Sequence, residues 1–395
     1  MIVKDEAMSI RNVLEAAKPH IDGATILDTG STDDTIALVH ESLDGIPHTV
    51  IQGQFEGYAT SRNAVMKLDA AREDAAEFQL MLSGDEFLAG DEGALREQLE
   101  AVRESNIDCF RLRLLLDDTT IMTPRIFRTG SAWQYVSKLP LELHEYPEHP
   151  EGANAGSGNI ERMLIEHVVS NPEKRLGNVW EVHVPKLREH IEENPDDARG
   201  LIFLAGSLET FVPYMKGGEK VSVAMEIMSL YLRRLSLPFE TEAERNFMRM
   251  RYLENARYTG VYSDEELLSR ALELAKDDPQ RPETALLATQ AALKVKNLPM
   301  MKAYELATQA TKVAAEASRL DNSSPVSVAC GWKAHHIAAQ LMRNFAKKHP
   351  NKDTGGGITF ADRAQQHVEE GLKAGGPWVA FRGLAEDAQN AESTS

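Results

Sequence analysis

Short apolar runs alternate with helix-like stretches over the first 170 residues of the chain. Residues 24–27, 78–82 and 108–114 have the length and the apolar character of β-strands. Apolar residues recur at helical spacing in four other stretches, at residues 8–17, 32–41, 58–69 and 93–105. Strands that alternate with helices favour an α/β domain with a largely parallel sheet.

The pattern changes after Asn171. From there the strand-like runs cease, and the chain is rich in Ala, Leu, Glu and Lys at helical spacing. Segments of Asp, Asn and Pro at residues 194–197, 278–282 and 321–325 each precede an apolar stretch, and such residues cap or begin helices. This favours an all-α domain of helical repeats that resemble tetratricopeptide repeats, with an ordinary helical bundle as the alternative. The sequence therefore predicts two domains, at residues 1–170 and 171–395.

The composition fits a two-domain protein of the cytoplasm. A chain of 395 residues fills two domains of ordinary size. Its two cysteines, Cys109 and Cys330, are too few for a disulfide framework and fit a reducing compartment. We find neither a signal peptide nor an apolar run of the roughly 18 residues that a membrane span needs, so we expect no membrane partner. The net charge of −18 disfavours broad binding to nucleic acid.

The first candidate binding site follows the strand-like run at residues 24–27. Asp28 ends this run, a Gly30-Ser31 turn follows, and a helix-like stretch begins at Thr32. This order places Asp28 at the carboxyl edge of the sheet, where open α/β sheets bind ligands. A carboxylate there could accept hydrogen bonds from a uracil N–H or a ribose hydroxyl. An ordinary strand, turn and capped helix is the equal alternative.

Four segments together resemble successive blocks of the family 2 glycosyltransferases. They are MIVKDEA at residues 1–7, ILDTGSTDDT at 26–35, GYATSRN at 57–63 and LSGDE at 82–86. Their order and spacing match as well, which makes the set more specific than any one segment. The resemblance implies a GT-A (Rossmann-like) catalytic domain and a metal-dependent glycosyltransferase of the hexosyltransferase type. Some peptide glycosyltransferases join such a domain to tetratricopeptide-like helices.

The resemblance also implies a pocket for a nucleotide-sugar donor, with UDP as the expected nucleotide. Asp28 would contact the uridine, beside the turn at Gly30 and Ser31. The backbone around Lys4 and Asp5 would form the rest of this pocket.

The phosphates of that donor would meet a guanidinium and a divalent cation. Arg62 would pair with the diphosphate, since its fork of donors fits phosphate oxygens, and a salt bridge on a helix surface is the alternative. Asp85 would bind Mn²⁺ or Mg²⁺ between the phosphates. The family motif is Asp-x-Asp, whereas Ser83 stands here in place of the first Asp. Glu86 or His167 is therefore expected to help hold the cation.

A third region resembles the acceptor-side block of the family. The segment PRIFR at residues 124–128 precedes the pair His144-Glu145, and Arg125 and Arg128 are candidate donor-binding residues. Inverting transfer needs a base that takes the proton of the acceptor. Glu145 is the candidate base, and His144 would position the substrate. The alternative acids are Asp117 and Asp118.

The class of acceptor stays open at this point. A peptide, a protein or a glycan is the first expectation, since helical repeats present extended binding surfaces. A hydroxymethylated DNA base is the second, because Arg125, Arg128, Trp133 and Tyr135 could serve one. A catalytically weak scaffold that recruits partners through its helices is the third, and Ser83 favours it.

Histidine spacing gives no sign of a zinc site. His335 and His336 are adjacent on a predicted helix and so point in different directions, and we interpret them as incidental.

Overall fold

The computed structural model describes residues 1–91, 93–116, 119–140, 145–151, 156–168, 172–239, 241–317, 326–327, 329–349, 358–377, 379–381 and 384. It divides into two compact units, Met1–Gly200 and Leu201–Ser395. The last long strand ends at His167, and helices follow it. The domain limits 1–170 and 171–395 stay a prediction, because the division between the compact units falls later in the chain.

The first unit begins with β1 (Ile2–Val3), α1 (Ile10–Ala17), β2 (Ala24–Asp28), α2 (Thr35–Ser42), β3 (His48–Gln52) and α3 (Tyr58–Ala70). It continues with β4 (Phe78–Leu80), β5 (Glu86–Gly90), α4 (Ala94–Ala101), β6 (Cys109–Leu116), β7 (Thr119–Arg128), β8 (Gln134–Ser137), β9 (Glu145–Glu148) and β10 (Ser157–His167). It ends with α5 (Pro172–Asn178), a π-helical turn (Val179–His183) and α6 (Val184–Glu193). The three predicted strands and four predicted helices are confirmed, with ends that differ by a few residues.

A parallel sheet of β1, β2 and β3, in that order, forms the first part of this unit. Val3 and Ile26 of the strands pack in one buried apolar cluster with residues of α1 and α2. The helical side of this cluster consists of Ile10, Leu14, Val39 and Leu43, which follows α2. The carboxyl ends of parallel strands lie at one edge of a sheet. The segments that follow β1 and β2 therefore meet, and the backbone N–H of Asp5 donates to Oγ of Ser31 at 2.9 Å.

The second sheet of this unit corrects the expected parallel arrangement. Its strands run in the order β4-β7-β6-β10-β5, in which β6 and β10 are parallel and the other neighbouring pairs are antiparallel. β6 and β7 are separated in sequence by residues 117 and 118 alone. Parallel strands need a crossover of about a dozen residues or more, so these two can pair only antiparallel. The sequence pattern predicted β4 and β6, but not the direction of their pairing.

The second unit is helical. After α7 (Ala198–Glu209), which begins just before it, come α8 (Gly217–Leu235), α9 (Glu242–Ala256), α10 (Asp264–Asp277), α11 (Pro282–Ala292), α12 (Met300–Ala317), the two-residue β11 (Val326–Ser327), α13 (Cys330–Lys348) and α14 (Phe360–Lys373). From α8 to α14 each helix packs against the next, and α11 also packs against α9 and α13. Packing between near neighbours in sequence is typical of helical solenoids. The tetratricopeptide-like repeat itself stays a prediction.

The predicted starts of the helices can be compared with the structure at two places. α7 begins directly after residues 194–197, and α11 begins at Pro282, so both starts are confirmed. The third, at residues 321–325, lies outside the described residues. α10 begins with a capping box, in which Oγ of Ser263 accepts from the N–H of Glu266 while the Glu266 carboxylate accepts from the N–H of Ser263.

Two expectations about the whole chain concern its helices and its cysteines. Among the helices that the structure describes, each is too short or too polar to cross a membrane. Cys109 and Cys330 are both buried free thiols, one in each unit.

Replacement of Ser263 by Ala is expected to destabilise the second unit by about 1 kcal/mol, because the N–H of Glu266 loses its acceptor at the start of α10. Ser229→Ala is the matched control, since Ser229 is exposed inside α8, where Ala is the better helix former. Urea unfolding followed by circular dichroism measures both. Equal midpoints for the two variants would contradict the capping role.

Candidate active site

A cleft of about 820 Å³ opens on the first unit where segments distant in sequence come together. Five of the candidate residues line it, and each comes from a different segment: Lys4, Arg62, Asp85, Arg125 and His167. Two of them flank strands, two belong to strands and one lies on α3. The cleft thus collects positive, acidic and imidazole side chains at the ends of the two sheets.

Asp85 and His167, the two predicted metal ligands, are in direct contact. Nε2 of His167 lies 3.1 Å from Oδ2 of Asp85. β5 and β10 are antiparallel with Glu86 opposite His167, so the residue that precedes β5 meets the last residue of β10. The N–H of Val168 also donates to the carbonyl of Asp85 at 3.0 Å, which fixes the turn before β5. Strand register therefore pairs two residues that are far apart in sequence.

Glu86 is a buried carboxylate with a structural role. We therefore do not expect it to take the place of the Asp that the family motif has where this chain has Ser83. One oxygen accepts from Nη2 of Arg125 at 2.6 Å, and the other accepts from the N–H of Ser83 at 2.9 Å. The side chains of Glu86 and Arg125 are 5% and 10% exposed. Both carboxylate oxygens are thus committed to protein donors. His167, and not Glu86, is the residue that the structure places beside Asp85.

Ser83 has its own partner in Arg62. The Nη2 group of Arg62 donates to Oγ of Ser83 at 3.1 Å, and its guanidinium lies 5.2 Å from the ring centre of Tyr135. Arg62 is buried on α3 while it lines the cleft, so it is no surface salt bridge. An Asp at position 83 would pair with this guanidinium as an ion, whereas Ser83 offers it a neutral hydroxyl as acceptor.

The residue after Arg62 fixes its helix to the neighbouring hairpin. β8 and β9 pair antiparallel, with Tyr135 opposite Pro147. The amide of Asn63 donates to the carbonyl of Tyr135 at 2.8 Å and accepts from its N–H at 2.8 Å. The side chain of Asn63 thereby makes the two hydrogen bonds that a further strand would make. This explains why Arg and Asn are adjacent in the segment at residues 57–63.

The turn after β2 is internally bonded. Asp28 is fully buried, and its carboxylate accepts from the N–H groups of Gly30 at 3.2 Å and Ser31 at 3.1 Å. Gly30 has a φ of 103°, which a residue with a side chain rarely adopts. Asp5, with a φ of 54°, accepts from the N–H of Thr32 at 2.7 Å. These contacts hold the loops after β1 and β2 together, and direct contact of Asp28 with a ligand stays a prediction.

Glu6 lines the cleft and was not singled out from the sequence. A Cβ atom at Gly84 would lie 2.7 Å from Cγ of Glu6, so the Gly before Asp85 makes room for this side chain. Oγ of Ser9 donates to Glu6 at 2.9 Å. Burial raises the pKa of the Glu6 carboxyl, and the nearby Asp85 raises it as well. The only sign of Glu6 in the sequence is its place in the first motif.

Aromatic side chains form other parts of the cleft wall. Phe55 and Tyr58 pack edge to face with ring centres 4.9 Å apart, and both are exposed. The guanidinium of Arg199 lies over the ring of Tyr146 on β9, with its carbon 3.7 Å from the ring centre. Exposed rings beside a polar cleft can stack on a nucleobase or a sugar. No pattern in the sequence marked Phe55 or Arg199.

Arg128 lies outside the cleft and is engaged in structural contacts. It pairs with Glu77 and with Asp108, and it also donates to three backbone carbonyls before β6. We therefore leave Arg128 out of the candidate site.

Trp133 and Tyr135 are buried against Phe127. Arg125 and Tyr135 of the basic and aromatic segment also line the cleft, and a DNA base as the acceptor stays a prediction.

Of the candidate bases, Glu145 has a described backbone at the start of β9. His144, Asp117 and Asp118 lie outside the described residues, as does the side chain of Glu145. The backbone of Glu145 begins β9 and pairs with Ser137. The next residue of β9, Tyr146, lines the cleft, so the backbone of Glu145 lies close to it.

The donor set tests whether a divalent cation fits. Asp85 and His167 offer one carboxylate and one imidazole within 3.1 Å of each other. In the described part of the chain, the one group of three close ligand atoms lies elsewhere, in the second unit. Two protein ligands fit a cation that takes its remaining ligands from phosphates and water, as Mg²⁺ commonly does.

Comparisons with known proteins give no family for this chain. No protein-family model matches it, and no curated protein does. Similar solved structures include two crystal structures of residues 1–349 of S. aureus TarS, each 11% identical to this chain. The first has a TM-score of 0.32 and covers 87% of this chain and 90% of that one. The second, a complex with UDP, has a TM-score of 0.26 and covers 89% and 91%. Similarity at this level establishes neither a shared fold nor a shared function.

Replacement of Glu86 by Gln is expected to lower the free energy of unfolding by roughly 3–5 kcal/mol, because it leaves the buried guanidinium of Arg125 without its counter-charge. Glu41→Gln is the matched control, since it removes the exposed pair with Arg11, and we expect little change. Guanidinium chloride unfolding measures both variants. If they unfold at the same midpoint, the buried pair is not what holds the turn before β5.

Proposed function

We propose that the chain is a glycosyltransferase that takes a sugar from a nucleotide donor, with UDP as the nucleotide. One observation carries this proposal: four segments with the order and spacing of glycosyltransferase motifs supply side chains to a single cleft. Arg62, Asp85 and His167 are the residues that the motifs single out and the cleft brings together. A scaffold with a decayed site would have no need to keep this convergence.

The charges of the cleft suit a diphosphate. Lys4 is exposed at one wall, and Arg62 is held by Ser83 and Tyr135 with its guanidinium in the cleft. A guanidinium fixed by packing loses little further freedom when it binds phosphate oxygens. Arg125 acts through Glu86 and so positions the turn that carries Asp85. We assign Lys4 and Arg62 to the phosphates and Arg125 to positioning.

Asp85 and His167 are the residues that would hold Mn²⁺ or Mg²⁺ against the diphosphate. Such a cation offsets the negative charge that develops on the departing nucleotide. The Glu6 carboxyl faces the same region, which adds negative charge where a cation would lie. The site thus replaces the second carboxylate of the family motif by an imidazole and a nearby acid.

The acceptor side of the proposal concerns β9 and the helical unit. Glu145 would act as the base in an inverting transfer, and Tyr146, which follows it, lines the cleft. A peptide or protein acceptor, or a glycan, is the proposed substrate class. The helical unit would bind such an acceptor, since stacked helices present concave surfaces.

The Asp85→Asn variant is expected to turn over its donor at least about 100-fold more slowly, because one charged ligand to the cation is lost. The assay measures nucleotide release from a panel of UDP-sugars in the presence of MnCl₂. Asp44→Asn, at an exposed acid outside the cleft, is the matched control and should keep the wild-type rate. Full activity of Asp85→Asn would refute the role of Asp85. Failure of the wild-type protein to bind or turn over any nucleotide sugar would refute the function.

Binding of UDP tests Arg62 separately. Arg62→Lys keeps the charge and loses the fork of donors, so the affinity for UDP in isothermal titration should fall about tenfold, or about 1.4 kcal/mol. Arg96→Lys, which alters an exposed pair with Asp22, is the control. An unchanged affinity in Arg62→Lys would exclude a bidentate contact with the diphosphate.

A further inference from the structure

Two neighbouring helices of the second unit bring three metal-binding side chains together. His335 lies on α13, and His367 and Glu370 lie one turn apart on the same face of α14. Their ligand atoms all lie within 4.8 Å of one another. The interpretation of His335 from its neighbour His336 was wrong, because the relevant partner comes from the next helix and not from the next residue.

Two of the three ligand separations match the size of a zinc site. Nδ1 of His335 lies 3.1 Å from Nδ1 of His367 and 3.6 Å from Oε2 of Glu370. In a tetrahedral site with Zn–N distances of about 2.0–2.1 Å, neighbouring ligand atoms lie roughly 3.3 Å apart. One hydrogen bond between the two Nδ1 atoms would be enough to satisfy both imidazoles. The carboxylate of Glu370 approaches Nδ1 of His335 as well, and three ligand atoms that converge in this way fit around one ion.

Surrounding contacts orient the buried histidine for metal binding. Oη of Tyr304, on α12, lies 3.0 Å from Nε2 of His367. Histidines that bind metals almost always hydrogen-bond through their other ring nitrogen, which fixes the tautomer and aims the ligand atom. A proton on Nε2, directed at Tyr304, would leave the lone pair of Nδ1 facing His335.

The sequence also lets the two helices approach at this point. Gly371 follows Glu370 on α14, and a Cβ atom there would lie 2.4 Å from Cζ of Phe381 and 3.1 Å from Cβ of His335. The absence of a side chain at this position therefore leaves room for both residues beside α14.

We propose that His335, His367 and Glu370 form a Zn²⁺ site that joins α13 to α14, with a water molecule as the fourth ligand. Two imidazoles, one carboxylate and a water are an established ligand set for zinc. Glu370 is 58% exposed, which gives the ion a path from solvent. The site is independent of the cleft in the first unit and of the function proposed for it.

The test is titration of Zn²⁺ into the full-length chain after dialysis against EDTA. Isothermal titration gives the affinity, and elemental analysis counts the bound zinc. We expect one equivalent at this site in the wild-type protein and in Asp85→Asn, because the cleft does not contribute. Glu370→Gln and His335→Gln should each weaken binding by at least about 100-fold, and Tyr304→Phe by about 10-fold to 100-fold.

His349→Gln is the matched control, since His349 is an exposed histidine at the end of the same helix. It should bind Zn²⁺ as the wild-type protein does. Circular dichroism checks that each variant is folded, and Glu370→Gln keeps the test valid if the loss of a buried histidine prevents folding. The proposal fails if the wild-type protein binds no zinc, if Glu370→Gln binds it unchanged, or if His349→Gln weakens binding as much as Glu370→Gln.

Discussion

The buried pair between Glu86 and Arg125 is the constraint on which the cleft depends. The carboxylate of Glu86 joins the backbone N–H of Ser83 to the side chain of Arg125 on β7, and Glu86 lies opposite His167 in the sheet. Two charges withdrawn from water in this way are costly unless their partners are well placed. The turn that carries Asp85 is therefore fixed from both sides. The position of Asp85 thus follows from a buried ion pair whose two residues also line the cleft.

Around this pair the chain differs from the glycosyltransferase motif that its segment at residues 82–86 resembles. Ser83 stands where that motif has an Asp, and its hydroxyl accepts a hydrogen bond from Arg62. The side chain of Glu6, from the loop after β1, lies against Gly84, which leaves space for it. A comparison along one segment does not detect Glu6, because this residue is distant in sequence from Asp85.

Much of the fold followed from local pattern, and the candidate site followed from the order of the motifs. The length and the apolar character that marked β2, β4 and β6 are properties of each strand, so they were visible in the sequence. The antiparallel pairing of β6 with β7 depends on partners, and the period of a strand carries no information about its partner. Asp85 and His167 were each identified alone, whereas their contact required the register of β5 and β10. The ion pair of Arg128 and the burial of Trp133 depend on partners in the fold, so neither can be read from residue type.

The amide of Asn63 has one more consequence, for the outer edge of the β8–β9 hairpin. Unpaired N–H and C=O groups on a strand edge invite another chain to add a strand. At Tyr135 both groups are occupied by Asn63, and Pro147 opposite has no N–H to donate. A side chain of the same protein thus fills the place that a foreign backbone would take. The hairpin beside the cleft is thereby guarded at Tyr135 against edge-to-edge aggregation.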